Sequence, residues 1–173
     1  PNAQLLFETD WTDEITNKNA IRQEYQFSIS AGQEKSQFFS SFAYLAEEGL
    51  LKNTNFERIS GRIGAELEPQ VWFKYGGNLN FSKTETDHLA ATGTQTLNVW
   101  YSAQFMAPIY PVYVTAKDGS PILDEFGNKQ FDYGTHRPSG AQPNSNSVAA
   151  LYENSNTRND DNLSGRFHFD LLG

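Results

Sequence analysis

The chain has 173 residues and a formal net charge of -8, with 14% aromatic residues against only 38% hydrophobic residues in all. That charge, with no basic cluster anywhere, repels phosphate backbones, so nucleic acid is excluded as a partner, and the absence of cysteine rules out disulfides and thiolate metal sites. No run of about 18 apolar residues occurs, which excludes a transmembrane helix but not a transmembrane strand, since a strand hides its apolar residues at every second position.

Residues 1–20 read as irregular, with one short helical turn in which Thr9 or Thr12 caps Asp13, Glu14 and Ile15. From Tyr25 the period changes to two. Tyr25, Phe27, Ile29 and Ala31 alternate with Gln26, Ser28 and Ser30, and Gly32 to Lys35 supplies a tight turn. The returning run has apolar residues on both parities. Closing the turn with Ala31 opposite Ser36 puts Ile29 beside Phe38 and Tyr25 beside Phe42, so the even residues of the second strand join the apolar face.

The third and fourth runs alternate longest. Ile59, Gly61, Ile63, Ala65 and Leu67 share one face against Arg58, Ser60, Arg62, Gly64 and Glu66, while Val71, Phe73, Tyr75, Gly77, Leu79 and Phe81 oppose Trp72, Lys74, Gly76, Asn78, Asn80 and Ser82. A hairpin centred on Pro69 pairs Leu67 with Val71, Ala65 with Phe73, Ile63 with Tyr75 and Ile59 with Leu79. The expected strands are 22–31, 36–46, 56–67 and 71–84, making residues 21–84 a block of four antiparallel strands. One face is apolar throughout. The other, with Arg58, Arg62, Glu66, Lys74 and Asn78, is too polar for a sandwich core and suits either bulk water or a hydrated barrel lumen.

Connection lengths separate those two. The turns at 32–35 and 68–70 are short, the connection at roughly 46–57 is longer, and residues 85–161 form one very long loop. Outer-membrane barrels alternate short periplasmic turns with long external loops in this way. That places the short turns in the periplasm and the long loop outside the cell. Phe38, Trp72 and Phe73 then fall where an aromatic girdle would sit; ordinary cross-strand packing in a soluble sheet accounts for them equally well.

Within 85–161, Leu97, Trp100, Tyr101 and Phe105 have helical spacing, and Met106 to Val114 is extended by its two prolines. Pro121 to Asp124 and Lys129 to Tyr133 flank Glu125-Phe126-Gly127-Asn128 as a small hairpin. Asn144 to Asp161 reads as a polar loop. A further alternation, Leu163, Gly165, Phe167, Phe169 and Leu171, makes residues 162–173 the start of a fifth strand. The fold class is therefore all-β: an antiparallel transmembrane β-barrel segment of about five strands, with a long extracellular loop containing a short helix and a small hairpin.

In this order, T-D-W-x-D-E-I (Thr9 to Ile15), S-x-S-A-G-Q-E-K (Ser28 to Lys35), Y-L-A-E-E-G-L-L (Tyr44 to Leu51), N-F-E-R-I-S-G-R (Asn55 to Arg62), and F-M-A-P-I-Y-P-V-Y-V (Phe105 to Val114) followed by D-E-F-G-N (Asp124 to Asn128) resemble SusC/RagA-type TonB-dependent receptors. Each piece is weak alone; their shared order over nearly the whole chain is specific. The resemblance implies a plugged outer-membrane barrel energised by TonB and capped by a SusD-like lipoprotein, which imports oligosaccharides or peptides in Bacteroidetes-type bacteria. The segment shows no plug domain and no TonB box, and only five strands of a class that has about 22. The expectation is a piece of a larger receptor, touching TonB through a part not in this chain.

No catalytic residue, metal or cofactor is called for. His88, His136 and His168 are too far apart for a local metal motif, and HExxH, P-loop, GxGxxG and GxSxG patterns are absent. Asp160-Asp161 lacks the spaced ligands of a calcium loop and reads as a polar loop end. Trp100, Tyr101, Tyr110 and Tyr113 are suited to stack on a substrate or bury against a partner, although packing inside the loop is their more ordinary role. Arg58, Arg62, Lys74 and Asn78 are the lumen-facing candidates, with charge balance against Glu57 and Glu66 as the plainer account. The rival reading is a soluble or surface-attached β-sandwich that binds glycans as an adhesin, in which the apolar faces would pack on each other.

Overall fold

A computed structural model describes residues 7–89 and 98–171, and the chain divides into two compact units. One comprises Ala20–Glu48, Asn55–Asp87 and Thr157–Gly173, and the other Pro1–Asn19, Gly49–Thr54 and His88–Asn156.

The first unit is a single five-stranded sheet in which chain neighbours pair, in the order β1 (Arg22–Gln33), β2 (Ser36–Glu48), β3 (Asn55–Gln70), β4 (Phe73–Leu89) and β5 (Ser155–Leu171). β1 to β4 pair antiparallel with their chain neighbours, as the two-residue turns after β1 and β3 require, and β5 lies beside β4. β1 and β2 meet at a two-residue turn, Glu34-Lys35, and β3 and β4 at Val71-Trp72. The other ends of the strands, at Arg22, Glu48, Asn55, Leu89 and Ser155, lie opposite those turns.

The registers differ from those expected. Ala31 pairs with Phe38 rather than Ser36, a slip of two positions, because β1 continues through Gly32 to Gln33 and closes on a two-residue turn. Ile59 pairs with Lys83 and Leu67 with Tyr75, a slip of four, because Pro69 stays inside β3. The ladder is irregular between Leu67 and Gln70, and such a bulge tolerates a residue that has no amide hydrogen to donate. β5 begins at Ser155, not near residue 163, and Asp160 and Asp161 lie inside it rather than at a loop end. Its first eight residues are polar on both parities, so no alternation marks them. Pairing with the upper half of β4 holds them, helped by the Thr157 hydroxyl, which donates to the Asp87 carboxylate at 2.6 Å.

Glycines let large rings lie across the sheet. A Cβ on Gly61 would sit 2.2 Å from the Phe81 ring, and one on Gly77 would sit 2.6 Å from the Phe167 ring and 2.8 Å from the Arg166 carbonyl. The rings therefore cover backbone that a side chain would otherwise occupy.

The second unit has its own apolar core of Trp11, Ile15, Val99, Ala103, Met106, Val112, Val148 and Leu151. Three short helices supply most of it: α1 (Trp11–Ile15), α2 (Val99–Phe105) and α3 (Ser147–Glu153). The cap of α1 is Asp10, whose carboxylate accepts from the Thr12 and Asp13 amides at 3.0 Å, and not Thr9 or Thr12. An ionised acceptor at a helix start outcompetes a hydroxyl. Leu97 lies outside the described residues. The rest of its supposed helical face is turned the other way: Val99, Ser102 and Ala103 are buried, while Trp100 and Phe105 are 44% and 60% exposed.

The expected hairpin at 121–133 is present and larger than expected. Leu123 bridges Lys129, Tyr113 bridges Phe131, and Thr115 bridges Pro121. The three extended pieces close a ring of backbone hydrogen bonds: Ile122 N–H donates to the Val114 carbonyl, Val114 N–H to the Gln130 carbonyl, and Gln130 N–H to the Ile122 carbonyl, at 2.8, 2.8 and 3.2 Å. At the tip, Asp124 accepts from the Phe126 and Asn128 amides while Gly127 takes a φ of 84°. Those bonds hold the Asp124 carboxyl below the usual carboxylate range, the Asn128 amide contributing most.

Candidate functional site

Alternation and register together divide the sheet into two chemically distinct faces. On one lie Tyr25, Phe27, Ile29, Phe38, Phe42, Ile59, Ile63, Leu67, Tyr75, Leu79 and Phe81, paired across the strands, and Phe167 joins them beside Gly77. No second sheet covers this face among the described residues, and Phe27, Ile63 and Phe167 are 68%, 51% and 77% exposed. A soluble sandwich would bury these side chains.

The other face gathers Arg58, Arg62, Lys74 and Asn78. Ladder pairing sets Arg62 opposite Asn80 and Arg58 opposite Thr84, and Asn80 donates an amide hydrogen to the Asn78 side chain at 3.3 Å. Lys74 is ion-paired to Glu66, and the Arg62 guanidinium lies 5.9 Å from the centre of the Phe39 ring. Towards the short turns this face forms an open trough of about 740 Å³, lined among others by Arg62, Glu66, Asn78 and His168. His168 was not singled out from the sequence as part of this face; the parity of β5, which puts it opposite Phe167 and Phe169, is the signal that would have found it.

The four aromatic candidates are not brought to one place. Tyr110 packs on the core of the second unit, with the Arg137 guanidinium 4.6 Å from its ring centre. Tyr113 stacks on Phe131 at 5.3 Å, and Tyr101 tilts against Phe105 at 4.5 Å, leaving Trp100 as the most open of the four. Desolvation raises the Tyr113 phenol above its ordinary range.

Two buried polar side chains that the sequence did not mark hold this unit together. Asn146 caps α3 by accepting from the Val148 and Ala149 amides, and its amide nitrogen donates to the Val112 and Asp132 carbonyls. Arg137 reaches the Ser145 and Asp132 carbonyls and the Asp132 carboxylate. No group of three or more His, Cys, Asp or Glu that would hold a metal occurs among the described residues.

No protein-family model matches the chain. Over 124 residues it is 28% identical to the TonB-dependent receptor P3 of Formosa agariphila, a match that takes in 69% of this chain and 12% of that receptor. Its fold is similar to that of the RagAB peptide transporter, with a TM-score of 0.58 and 20% identity over 96% of this chain and 17% of the other. The chain resembles a TonB-dependent receptor of the SusC/RagA type. The RagAB peptide importer in its 'closed-closed' state gives the same TM-score and identity over 92% of this chain. This SusC/RagA-like sheet is open, since β1 and β5 each present an unpaired edge along 12 and 17 residues among the described strands. The proteins it resembles are named as a receptor and as transporters, not as enzymes.

Proposed function

We propose that the chain is part of the barrel wall, with one long extracellular loop, of an outer-membrane TonB-dependent receptor. That receptor imports a nutrient, an oligosaccharide or a peptide, together with a SusD-like lipoprotein, and it meets TonB through a part not in this chain. The observation that carries this reading is the uncovered apolar face. Its odd residues on β1, β3, β4 and β5 and even residues on β2 are continuous across five strands, as lipid contact requires and water does not tolerate. Arg58, Arg62, Lys74 and Asn78 then line the lumen, and the short turns lie in the periplasm.

The second unit is the extracellular one in this reading. A connection of this length that supplies most of a buried core and carries hydrogen-bonded hairpins is functional rather than idle, and Trp100, Tyr101, Tyr110 and Tyr113 belong to it as substrate- or lipoprotein-facing or supporting residues.

Replacing residues 90–154 of the full-length receptor by a short hairpin turn tests this, because β4 ends at Leu89 and β5 begins at Ser155. The expected result is a receptor that still inserts, read by heat-modifiable gel migration, but has lost nutrient uptake or lipoprotein capture. Normal uptake and normal complex formation would reduce the segment to a passive loop.

A further inference from the structure

The second unit carries a row of aromatic rings whose two ends differ. At one end the Lys129 ammonium lies 5.1 Å from the centre of the Tyr113 ring. Tyr113 stacks on Phe131 with planes 23° apart, and Phe131 stacks on Tyr152 at 6.2 Å, again with planes 23° apart. At the other end Tyr152 is 52% exposed, and Phe131 is its one ring partner among the described residues. Among the described residues no cation caps Tyr152.

The next residue, the last of α3, is Glu153, whose side chain is exposed. The Tyr133 hydroxyl donates to the Glu153 carboxylate and holds it in place. Glu153 takes part in none of the ion pairs formed among the described residues. An exposed aromatic ring held by Phe131 and a carboxylate in no ion pair held by Tyr133, on successive residues of a chain of net charge -8, have the chemistry that attracts a cation. The row displays that chemistry at its own closed end, where Lys129 sits on Tyr113. Neighbouring rings and the Tyr133 hydrogen bond fix both groups in advance, so little side-chain freedom is lost when a ligand arrives.

We infer that Tyr152 and Glu153 form a subsite for a primary ammonium or guanidinium group of the ligand, the ring taking the cation on its open face and the carboxylate balancing its charge. The inference rests on the proposed role of this unit as the ligand-facing part of a receptor. A lysine side chain of a peptide and the amine of an amino sugar offer the same group, and the two sources separate on direct comparison.

The test is binding to the purified full-length receptor in detergent, measured by titration calorimetry with a terminally blocked tetrapeptide containing one lysine. The same peptide with norleucine in place of lysine serves as control, and glucosamine is compared with glucose. Tyr152→Ala and Glu153→Gln should each weaken the lysine peptide about threefold to tenfold, while Tyr152→Phe, which keeps the ring face, stays within about twofold. Ionic strength of about 1 M, where the screening length is about 3 Å, should erase most of the lysine preference. A glucosamine preference lost in the same two variants, without a lysine preference, assigns the amine to a sugar and still supports the subsite. Equal binding of the lysine and norleucine peptides together with equal binding of glucosamine and glucose overturns it, and so does wild-type affinity in Tyr152→Ala. Uptake is scored separately: amine-dependent binding without uptake leaves the subsite standing and sinks the import reading, whereas uptake with amine-independent binding does the reverse.

Discussion

Arg137 should be the residue on which the second unit depends most. Its side chain is only 4% exposed, and its partners come from separate pieces of chain: the Met106 sulfur at 3.0 Å, the Ser145 carbonyl at 3.2 Å, the Asp132 carbonyl at 3.1 Å and the Asp132 carboxylate at 3.3 Å. Gly134, at φ 59°, makes room for it, since a Cβ there would lie 1.9 Å from the Arg137 Nε. Alanine at 137 removes every one of these donors. Breaking a buried ion pair costs about 3–5 kcal/mol. Asp132 keeps some contact with water, at 26% side-chain exposure, and its carbonyl keeps the Asn146 amide, which puts the loss at the lower end, about 3 kcal/mol. Hydrogen exchange on the full-length receptor reads this as local opening. Amides of α2, α3 and residues 112–114 and 130–132 should lose about a hundredfold in protection, with β3 as the internal control. Arg137→Lys should recover less than half, because a point charge cannot serve two carbonyls and a carboxylate in one plane. Unchanged protection in the alanine variant, or full recovery in the lysine variant, would refute the clamp.

Lysine at Ile63, near the middle of β3 on the uncovered apolar face, should cost about 2–4 kcal/mol if that point lies at the bilayer midplane, read as a lower urea midpoint for the receptor in lipid vesicles; lysine at Asn80, on the polar face, should shift it little, and equal losses would sink the assignment of faces. Gly77→Val should cost about 1–3 kcal/mol by driving Phe167 and the Arg166 carbonyl away, whereas Gly64→Ala, where the nearest atom is 3.6 Å from a new Cβ, should leave the midpoint in place. Burial first, and the bond to Glu153 second, push the Tyr133 phenol up to about 12, so its contribution to stability is complete below the ordinary tyrosine range near pH 10 and fades as pH rises from there through about 12. A phenolate absorbance titration that loses a component near pH 10, rather than near pH 12, in Tyr133→Phe would show the opposite.

Much of the second unit was hidden for a physical reason. α2 and α3 are seven residues each, too short for amphipathic spacing to select a face, so the helical spacing of Trp100, Tyr101 and Phe105 did not mark the face that Val99, Ala103 and Met106 bury. Arg137 and Asn146 look like ordinary loop residues, since nothing in a single sequence distinguishes a buried polar side chain with partners from a solvated one. The Asp124 to Asn128 turn was legible because an Asx acceptor and a glycine at positive φ are requirements of that short stretch alone.

The sheet shows the converse limit. Its expected registers slipped by two positions between β1 and β2 and by four between β3 and β4, both even numbers, and that evenness has a cause. An odd slip would turn Ile59, Ile63 and Leu67 to the side of Arg62 and Glu66, and the alternation of the sequence forbids it. An even slip preserves every face and alters only which residue lies opposite which. The offset is set by where the chain reverses, and Gly32 and Pro69 both looked like reversal points although the strands run on through them. What a barrel wall does depends on faces before partners: Arg58, Arg62, Lys74 and Asn78 share one side of the sheet in either register, and Ile63 and Leu79 share the other. A receptor whose partners had been permuted by two would still present the same residues to lipid. One whose register moved by a single residue would present arginine there, at about 2–4 kcal/mol for each such side chain near the midplane, so parity is the property of these strands that substitution can least afford to lose.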